Sequence, residues 1–152
     1  MDYNNIKVKQ AAEVVQSFIT ICKSLTKFSL QNATSLGLTL QQMGILNTIN
    51  SSPKITQKEI ADKLQLPKST VSVNVDGLVN LALVEREATG EDRREVHLIL
   101  TGKGQELSGK SIQDALSYRA MIIALERIPE EDVQFLLRTH KELLTHLQDC
   151  KF

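Results

Sequence analysis

The sequence is poor in the residues that mark β-rich or disulfide-stapled proteins. It has no tryptophan, 4% aromatic residues, three prolines and two cysteines in 152 residues. Cys22 and Cys150 lie far apart, so the disulfide framework of a small secreted domain is not expected. The scarcity of aromatic residues, together with abundant Leu, Ile, Gln, Glu and Lys, favours a mainly helical protein.

Long apolar runs and a net charge are also missing. The opening segment MDYNNIKVKQ does not have the apolar stretch of a signal peptide or membrane helix, so we expect a cytoplasmic protein that does not bind membranes. Eighteen Lys and Arg balance eighteen Asp and Glu, which argues against a strongly basic nucleic-acid binder. The segment 54–70 still has a local surplus of two positive charges, from Lys54, Lys58, Lys63 and Lys68 against Glu59 and Asp62.

Catalytic and metal-binding motifs are absent from the sequence. It contains no glycine-rich phosphate loop, no paired-carboxylate motif and no nucleophile elbow, so we expect neither an enzyme nor a cofactor. His146 and Cys150 are four residues apart and would share one face of a helix, but two ligands do not make a zinc site. We therefore predict no bound metal.

Helical periodicity covers most of the chain. Thr39 with Gln42, and Thr56 with Glu59, have the spacing of capping boxes and predict two helix starts, while Pro67 predicts the first turn of a third helix. An earlier apolar stripe with alternating gaps of three and four predicts one long amphipathic helix, from Val8 through Ala11, Val15, Phe18 and Cys22 to Leu25. This stripe can pack against another helix, of the same or a second chain, or lie on its own core.

After Leu81 the pattern changes from helix to strand. Segments 83–86 and 96–100 predict a β-hairpin, with residues 88–92 as its turn. Thr101 predicts the cap of one further helix that continues through Ile123, and Pro129 marks the start of the last helix. The predicted order is four helices, two strands and two helices.

The segment from about Thr56 to Thr101 has the organisation of a helix-turn-helix followed by a β-hairpin wing. In such a unit the N-terminal residues of the second helix meet base edges in the major groove. Lys and hydroxyl groups suit phosphate or base contacts, a valine can contact a thymine methyl group, and an asparagine can read adenine. The predicted DNA-binding residues of this helix are Lys68, Ser69, Thr70, Ser72, Val73 and Asn74. The alternative is that the hydroxyl residues only cap and solvate a surface helix.

The predicted wing carries two adjacent arginines at its tip. Arg93 and Arg94 follow Asp92, and arginines on a protruding hairpin can enter a narrow minor groove, where the negative potential is enhanced. Asp92 is a poor DNA ligand, so its expected role is to orient an arginine. Taken alone, this segment favours a surface turn with solvated charges over a DNA contact.

With these residues the sequence resembles the MarR family of bacterial winged-helix regulators. The run LVEREATGEDRREVHLILTGKG follows a helix carrying STVSVNVDGLV, and the wing pattern is met by Asp92, Arg93, Arg94, Leu100, Thr101 and Gly104. The resemblance implies a mainly α fold with a small β-hairpin wing, that is, a winged helix-turn-helix at 36–101 with dimerisation helices at 1–35 and 102–152. It further implies a homodimer that binds a pseudo-palindromic operator in double-stranded DNA, with Arg94 held by Asp92 at the minor groove. A repressor released by a small-molecule effector is the expected function.

Three positions depart from the family pattern. Val73 and Gly77 stand in the recognition helix where relatives often have arginine, and Ala82 stands before the wing where glycine is usual. Fewer phosphate contacts follow from the first two. The sequence offers no explanation for Gly77, which lowers helix stability by roughly 1 kcal/mol relative to alanine.

Two further sites each allow two interpretations. The resemblance implies an apolar effector pocket that Phe28, Met43 and Leu46 would line, whereas as ordinary apolar residues they would be core. Cys22 lies on the apolar stripe, which predicts a buried, inert thiol. The alternative functions are a thiol-based redox sensor acting through Cys22 and a winged-helix module that binds a protein partner.

Overall fold

The computed structural model describes residues 5–88 and 96–150. Seven helices and three short strands occupy these ranges: α1 Ile6–Ser35, α2 Leu40–Ser51, β1 Ile55–Thr56, α3 Gln57–Leu64, α4 Lys68–Asn80, β2 Val84–Ala88, β3 Val96–Leu100, α5 Gly102–Gln113, α6 Leu116–Leu125 and α7 Glu130–Asp149. This is the predicted fold class, mainly helical with a small antiparallel sheet. The chain divides into two compact units, Met1–Leu116 and Ser117–Phe152. The dimerisation and winged-helix ranges inferred from the sequence stay a prediction.

Both predicted capping boxes start helices. The Thr39 hydroxyl accepts a hydrogen bond from the Gln42 amide at the start of α2, and the Gln42 side chain accepts from the Thr39 amide at 2.9 Å. Thr56 and Glu59 exchange the equivalent bonds at the start of α3. Each box gives partners to amides that have none within the helix. Pro67 lies at the N-cap of α4, one position before the predicted first turn.

The core of the first unit lies between α2, α3, α4 and the sheet. Its buried side chains are aliphatic and come from every one of these elements, including Ile45, Leu46 and Ile49 of α2, Ile60 of α3, Val71, Val75 and Leu78 of α4, and Leu83, Val84 and Leu98 of the wing. Because wing residues complete the same core as the helix-turn-helix, the two parts stabilise each other.

The sheet has a third strand that the sequence pattern did not reveal. Its order is β1-β3-β2, with Ile55 opposite Leu98 and Arg86 opposite Leu98 on the other side. β1 has only two residues, too few for an alternating pattern to be seen. Thr56 ends β1 and is also the N-cap of α3, so the wing is joined directly to the helix-turn-helix.

Two boundaries predicted around the wing and beyond it were wrong. Ala88, expected in the turn, is the last residue of β2 and lies opposite Val96. The single helix expected from Thr101 through Ile123 is two helices, because α5 ends at Gln113 and α6 begins at Leu116. The Ala115 amide bonds to the Ile112 carbonyl at 3.3 Å in a tighter turn. The apolar periodicity continues across this break and hides it from the sequence.

Gly104 lets α5 lie directly against the start of the wing. A Cβ atom at this position would lie 2.0 Å from the Leu83 carbonyl oxygen, a separation that real structures do not show. Thr101 fixes both sides of this contact, because its amide donates to Leu83 O at 3.1 Å and its hydroxyl donates to Ala82 O at 2.8 Å. The same hydroxyl accepts from the Gly104 amide at 3.0 Å. The glycine of the Leu-Thr-x-x-Gly pattern is therefore required by packing.

Exposed apolar side chains concentrate on α1 and on the helices of the second unit. On α7, Leu137, Leu144 and Leu147 lie on one face by their spacing and are more than half exposed. On α1 the exposed members include Val14, Val15, Ile19 and Ile21. None of the described helices has the length and apolar character needed to cross a membrane.

The predicted burial of Cys22 is wrong for the single chain. Its side chain is exposed, as are most residues of α1 before Leu25. The cysteine does lie on the apolar stripe, but this part of the stripe stays open to solvent. Burial inferred from periodicity requires a covering surface, which an apolar stripe does not provide by itself.

Candidate nucleic-acid interface

The helix α4 has one face in the core and the opposite face in solvent. Val71, Val75 and Leu78 are fully buried. The outward face carries Ser69 and Val73, and Val73 is 70% exposed. The Val73 side chain is therefore accessible from solvent on the face of α4 opposite the core.

The other predicted contact residues surround Val73. Lys68 and Ser69 are exposed in the first turn of α4, whereas Thr70 and Ser72 are half-buried. Pro67, the N-cap residue, makes no side-chain capping bond. The first-turn amides of α4 therefore form an end of the helix that favours an anion.

Asn74 has an internal role that the sequence did not indicate. Its Nδ2 donates to the Thr70 carbonyl at 2.8 Å, and its Oδ1 accepts from the Thr39 hydroxyl at 3.3 Å. Thr39 is the N-cap of α2, so Asn74 fastens α4 to the start of α2. One N–H donor of the amide and one lone pair of its oxygen are used in these bonds, and the predicted reading of an adenine stays a prediction.

Gly77 has a packing explanation. A Cβ atom there would lie 2.7 Å from Nε2 of Gln42. The side-chain amide of Gln42 is held by the capping box, where its Oε1 accepts a hydrogen bond from the Thr39 backbone N–H. The absence of a side chain at residue 77 thus allows α4 to pack over the start of α2 without displacing that box.

Two ion pairs attach the wing to its surroundings. The Arg86 guanidinium of β2 donates from Nη2 to Oδ1 of Asp76 on α4 at 2.5 Å. Lys54, just before β1, lies 3.3 Å from the carboxylate of Glu87. Both pairs are in contact with solvent, and together they connect β2 to α4 on one side and to the approach of β1 on the other.

The turn into the wing is made by a residue with unusual backbone geometry. Ala82 has φ +55°, in the left-handed region where glycine is favoured. The family pattern that usually has glycine before the wing therefore matches the conformation found here. Asp92, Arg93 and Arg94, predicted at the wing tip, lie outside the described residues.

The capping box at α3 perturbs a titratable group. The pKa of Glu59 is lowered from its ordinary value of 4.5, chiefly because the Thr56 backbone amide donates to its carboxylate, with the Thr56 hydroxyl as the next cause. Hydrogen bonds to the charged form favour ionisation. The carboxylate is thus held ionised at the start of the helix-turn-helix.

The residues predicted to line an effector pocket differ in their burial, and their role in a pocket stays a prediction. Met43 and Leu46 belong to the buried core, while Phe28 is half-buried on α1. An open pocket lies elsewhere, beside β1, and its lining residues are Ser52, Pro53, Lys54, Ile55, Glu59, Asp62 and Lys63.

Among the residues that the structure describes, no three His, Cys, Asp or Glu side chains are grouped to hold a metal. Near the C-terminus, the Cys150 thiol donates to the His146 carbonyl at 3.3 Å.

Comparison with known proteins decides the family. A family model described as MarR family matches residues 36–95. The crystal structure of the multiple antibiotic-resistance repressor MarR from Listeria monocytogenes is 32% identical, with 96% of this chain and 100% of that chain covered and a TM-score of 0.68. This chain belongs to the MarR family. It is a DNA-binding transcriptional regulator of the winged-helix type.

Two more distant MarR-family structures share the fold. Staphylococcus aureus MarR in complex with salicylate and kanamycin is 24% identical, covers 94% of this chain and 95% of that chain, and has a TM-score of 0.80. A mutant S. aureus MepR bound to an oligodeoxyribonucleotide is 21% identical, covers 88% of this chain and 97% of that chain, and has a TM-score of 0.59. These similarities extend the winged-helix likeness beyond the segment that the family model matches.

One ion pair at this interface was missed by sequence reasoning. The pair between Asp76 and Arg86 joins residues ten positions apart on different elements, so no single periodicity reveals it. The period-2 alternation of VEREA does place Arg86 on the same face as the buried Val84. This alternation is the one signal that could have directed Arg86 towards α4.

Proposed function

We propose that this MarR-family protein is a homodimeric repressor that binds a pseudo-palindromic operator and is released by a small ligand. The observation that carries the DNA-binding part is the outward face of α4, where an exposed Val73 is flanked by Lys68 and Ser69 above a fully buried opposite face. A helix with this arrangement fits the major groove as a recognition helix. The MepR relative bound to an oligodeoxyribonucleotide supports this assignment.

Each predicted contact residue has a distinct role in the proposed complex. Val73 contacts a thymine methyl group, and Ser69 and Ser72 donate to base edges or phosphates. Lys68 and the first-turn amides of α4 bind a phosphate, with Thr70 beside them. On the wing, Arg94 enters the minor groove with Asp92 as its orienting partner, and Arg93 contacts the flanking backbone.

The homodimer is supported by the apolar surfaces of α1 and α7. Soluble monomers rarely expose large continuous apolar patches, and helical stripes with gaps of three and four suit helix-to-helix packing. Leu137, 57% exposed, and Ile19, 41% exposed, lie on these surfaces. A second copy of the chain is the proposed cover for both surfaces, and dimer symmetry then supplies two recognition helices for a palindromic site.

Ligand release is supported by the relatives and by a physical requirement. The S. aureus MarR relative was solved with salicylate and kanamycin, and the Listeria relative is a repressor by name. A ligand releases DNA only if it binds the DNA-competent and incompetent arrangements unequally. Phe28, Met43 and Leu46 remain the proposed apolar contacts for such a ligand.

Selection of binding sites from random duplexes tests the DNA-binding proposal. We expect an enriched palindrome with half-sites about 10 base pairs apart. Val73→Ala should relax the preference at one base pair of each half-site by about 1 kcal/mol, whereas Lys68→Gln should weaken all sequences alike. Arg94→Ala should lower affinity for the same palindrome. No enrichment with the wild-type protein would favour the alternative, a winged-helix module that binds a protein partner.

Oligomeric state tests the dimer separately. Leu137→Glu and Ile19→Glu should each shift the protein from dimer to monomer in light scattering coupled to size exclusion. Val73→Glu places the same charge on a still more exposed apolar position of α4 and serves as the matched control. It should abolish DNA binding and leave the dimer intact; a monomeric wild-type protein would contradict the proposal.

A further inference from the structure

The outward face of α4 carries an acidic residue where phosphates are expected. Asp76 follows Val73 by three residues and Ser69 by seven, so the three lie on the same face of the helix. The Asp76 side chain is 55% exposed. An unpaired carboxylate on this face would repel DNA, and its presence therefore needs a physical explanation.

The partner of Asp76 comes from the base of the wing. Arg86 lies on the face of β2 that also carries Val84, and Val84 is buried in the core. This orientation brings Arg86 Nη2 to 2.5 Å from Asp76 Oδ1. The Arg86 side chain is 38% exposed, so the pair lies in solvent at the angle between the recognition helix and the wing.

Folding stability does not account for this arrangement. Ion pairs between solvent-exposed side chains contribute little to stability, because water screens them and two long side chains must be ordered. A guanidinium, however, has five N–H donors in a planar fork. One carboxylate oxygen accepts one of these in the described contact, and the fork geometry also matches a phosphate.

We propose that Arg86 contacts a DNA phosphate at the junction of recognition helix and wing, and that Asp76 is the positioning residue that orients its guanidinium. This inference rests on the proposed function. Asp76 would then act on DNA through Arg86, which converts an acidic position on the recognition face into part of a backbone contact. The competing explanation is that the two charges only neutralise each other.

The salt dependence of binding separates the two explanations. Each phosphate contact by Lys or Arg contributes about 0.9 to the slope of log affinity against log salt concentration. Loss of a neutralised pair leaves that slope unchanged. In D76N/R86Q, which has neither charge, we expect the slope on the selected duplex to flatten by about 0.9 for each copy of the recognition helix. R86K keeps the charge and should keep the slope, and it should bind less tightly because the fork is lost.

A double-mutant cycle tests the positioning role of Asp76. D76N should weaken binding by about fivefold when Arg86 is present, because the guanidinium is no longer oriented. In the R86Q background D76N should instead strengthen binding, because it removes an unpaired acid from the DNA face. A change of the same sign and size in both backgrounds would show that Asp76 only repels DNA, and it would overturn the positioning role.

E106Q/K110Q is the matched control, because it removes an exposed ion pair of 2.7 Å within α5. Its slope should equal that of the wild type. An unchanged slope in D76N/R86Q, or an equal flattening in the control, would overturn the inference while leaving DNA binding intact. If the wild-type protein selects no duplex, the proposed function fails instead.

Discussion

Replacing Gly104 by alanine provides a sharp test of the packing between α5 and the wing. The added Cβ would lie 2.0 Å from the Leu83 carbonyl oxygen, so backbone must move by more than about 1 Å to restore an ordinary contact. Movement of Leu83 breaks its bond from the Thr101 amide, and movement of Gly104 breaks its bond to the Thr101 hydroxyl. The substitution therefore acts on backbone that is fixed on both sides.

The magnitude follows from these contacts. Overpacking costs about 1–3 kcal/mol when side chains can adjust, and loss of a cap bond adds about 1 kcal/mol. Alanine returns about 1 kcal/mol through helix propensity. We expect Gly104→Ala to lower the free energy of unfolding by about 1–3 kcal/mol, which at about 2–4 °C per kcal/mol lowers the Tm by about 2–12 °C.

Gly109→Ala in the same helix is the matched control. Nothing lies within 4 Å of the Cβ that it would add, so helix propensity alone applies and the Tm should rise by about 2–4 °C. Urea unfolding followed by circular dichroism at fixed protomer concentration measures both variants. If the two substitutions raise stability equally, the close approach of α5 to Leu83 is refuted.

Three further predictions concern backbone strain, acid sensitivity and coupling. Ala82→Gly should raise the free energy of unfolding by about 1 kcal/mol in urea titrations, because φ +55° disfavours alanine. Gly37→Ala, at φ +70°, should lower it by a similar amount, and a change of the same sign in both variants would contradict this explanation. The Glu59 pKa is lowered on folding, so the carboxylate contributes to folding stability above pH 4.5 and this contribution is lost as the pH falls. Glu59→Gln should therefore reduce the acid-induced drop in Tm, and an unchanged pH profile of the Tm would count against the capping-box bond. Gly77→Ala should be nearly neutral alone but stabilising by about 1 kcal/mol in a Gln42→Ala background, and strict additivity in a double-mutant cycle would disprove their contact.

The local features of the fold could be predicted from the sequence because they depend on neighbouring residues. Each capping box, at Thr39 and at Thr56, joins two residues that lie three positions apart in the sequence. Their helices begin where the pattern placed them. The apolar spacing of Val71, Val75 and Leu78 likewise gave the inward face of α4. Resemblance to the MarR family then added the fold class, a mainly helical winged helix-turn-helix.

The missing features depend on residues distant in the chain. Strand β1 exists because Ile55 and Thr56 pair with Leu98 and His97, and a two-residue segment carries no periodicity of its own. Gly77 was unexplained until Gln42 of α2 was found above it. In each case the sequence shows one partner of a contact and gives no means of finding the other.

The three-stranded sheet has a consequence for moving this DNA-binding element between proteins. Helices α3 and α4 occupy residues 57–80, yet their core is completed by Leu83, Val84 and Leu98, and α3 begins at the residue that ends β1. A graft limited to the two helices would expose Ile60 and Leu78 and would lack β1, the strand that leads into α3. The smallest transplantable module therefore extends from α2 through the start of α5, and operator preference can be exchanged between relatives only as that whole block.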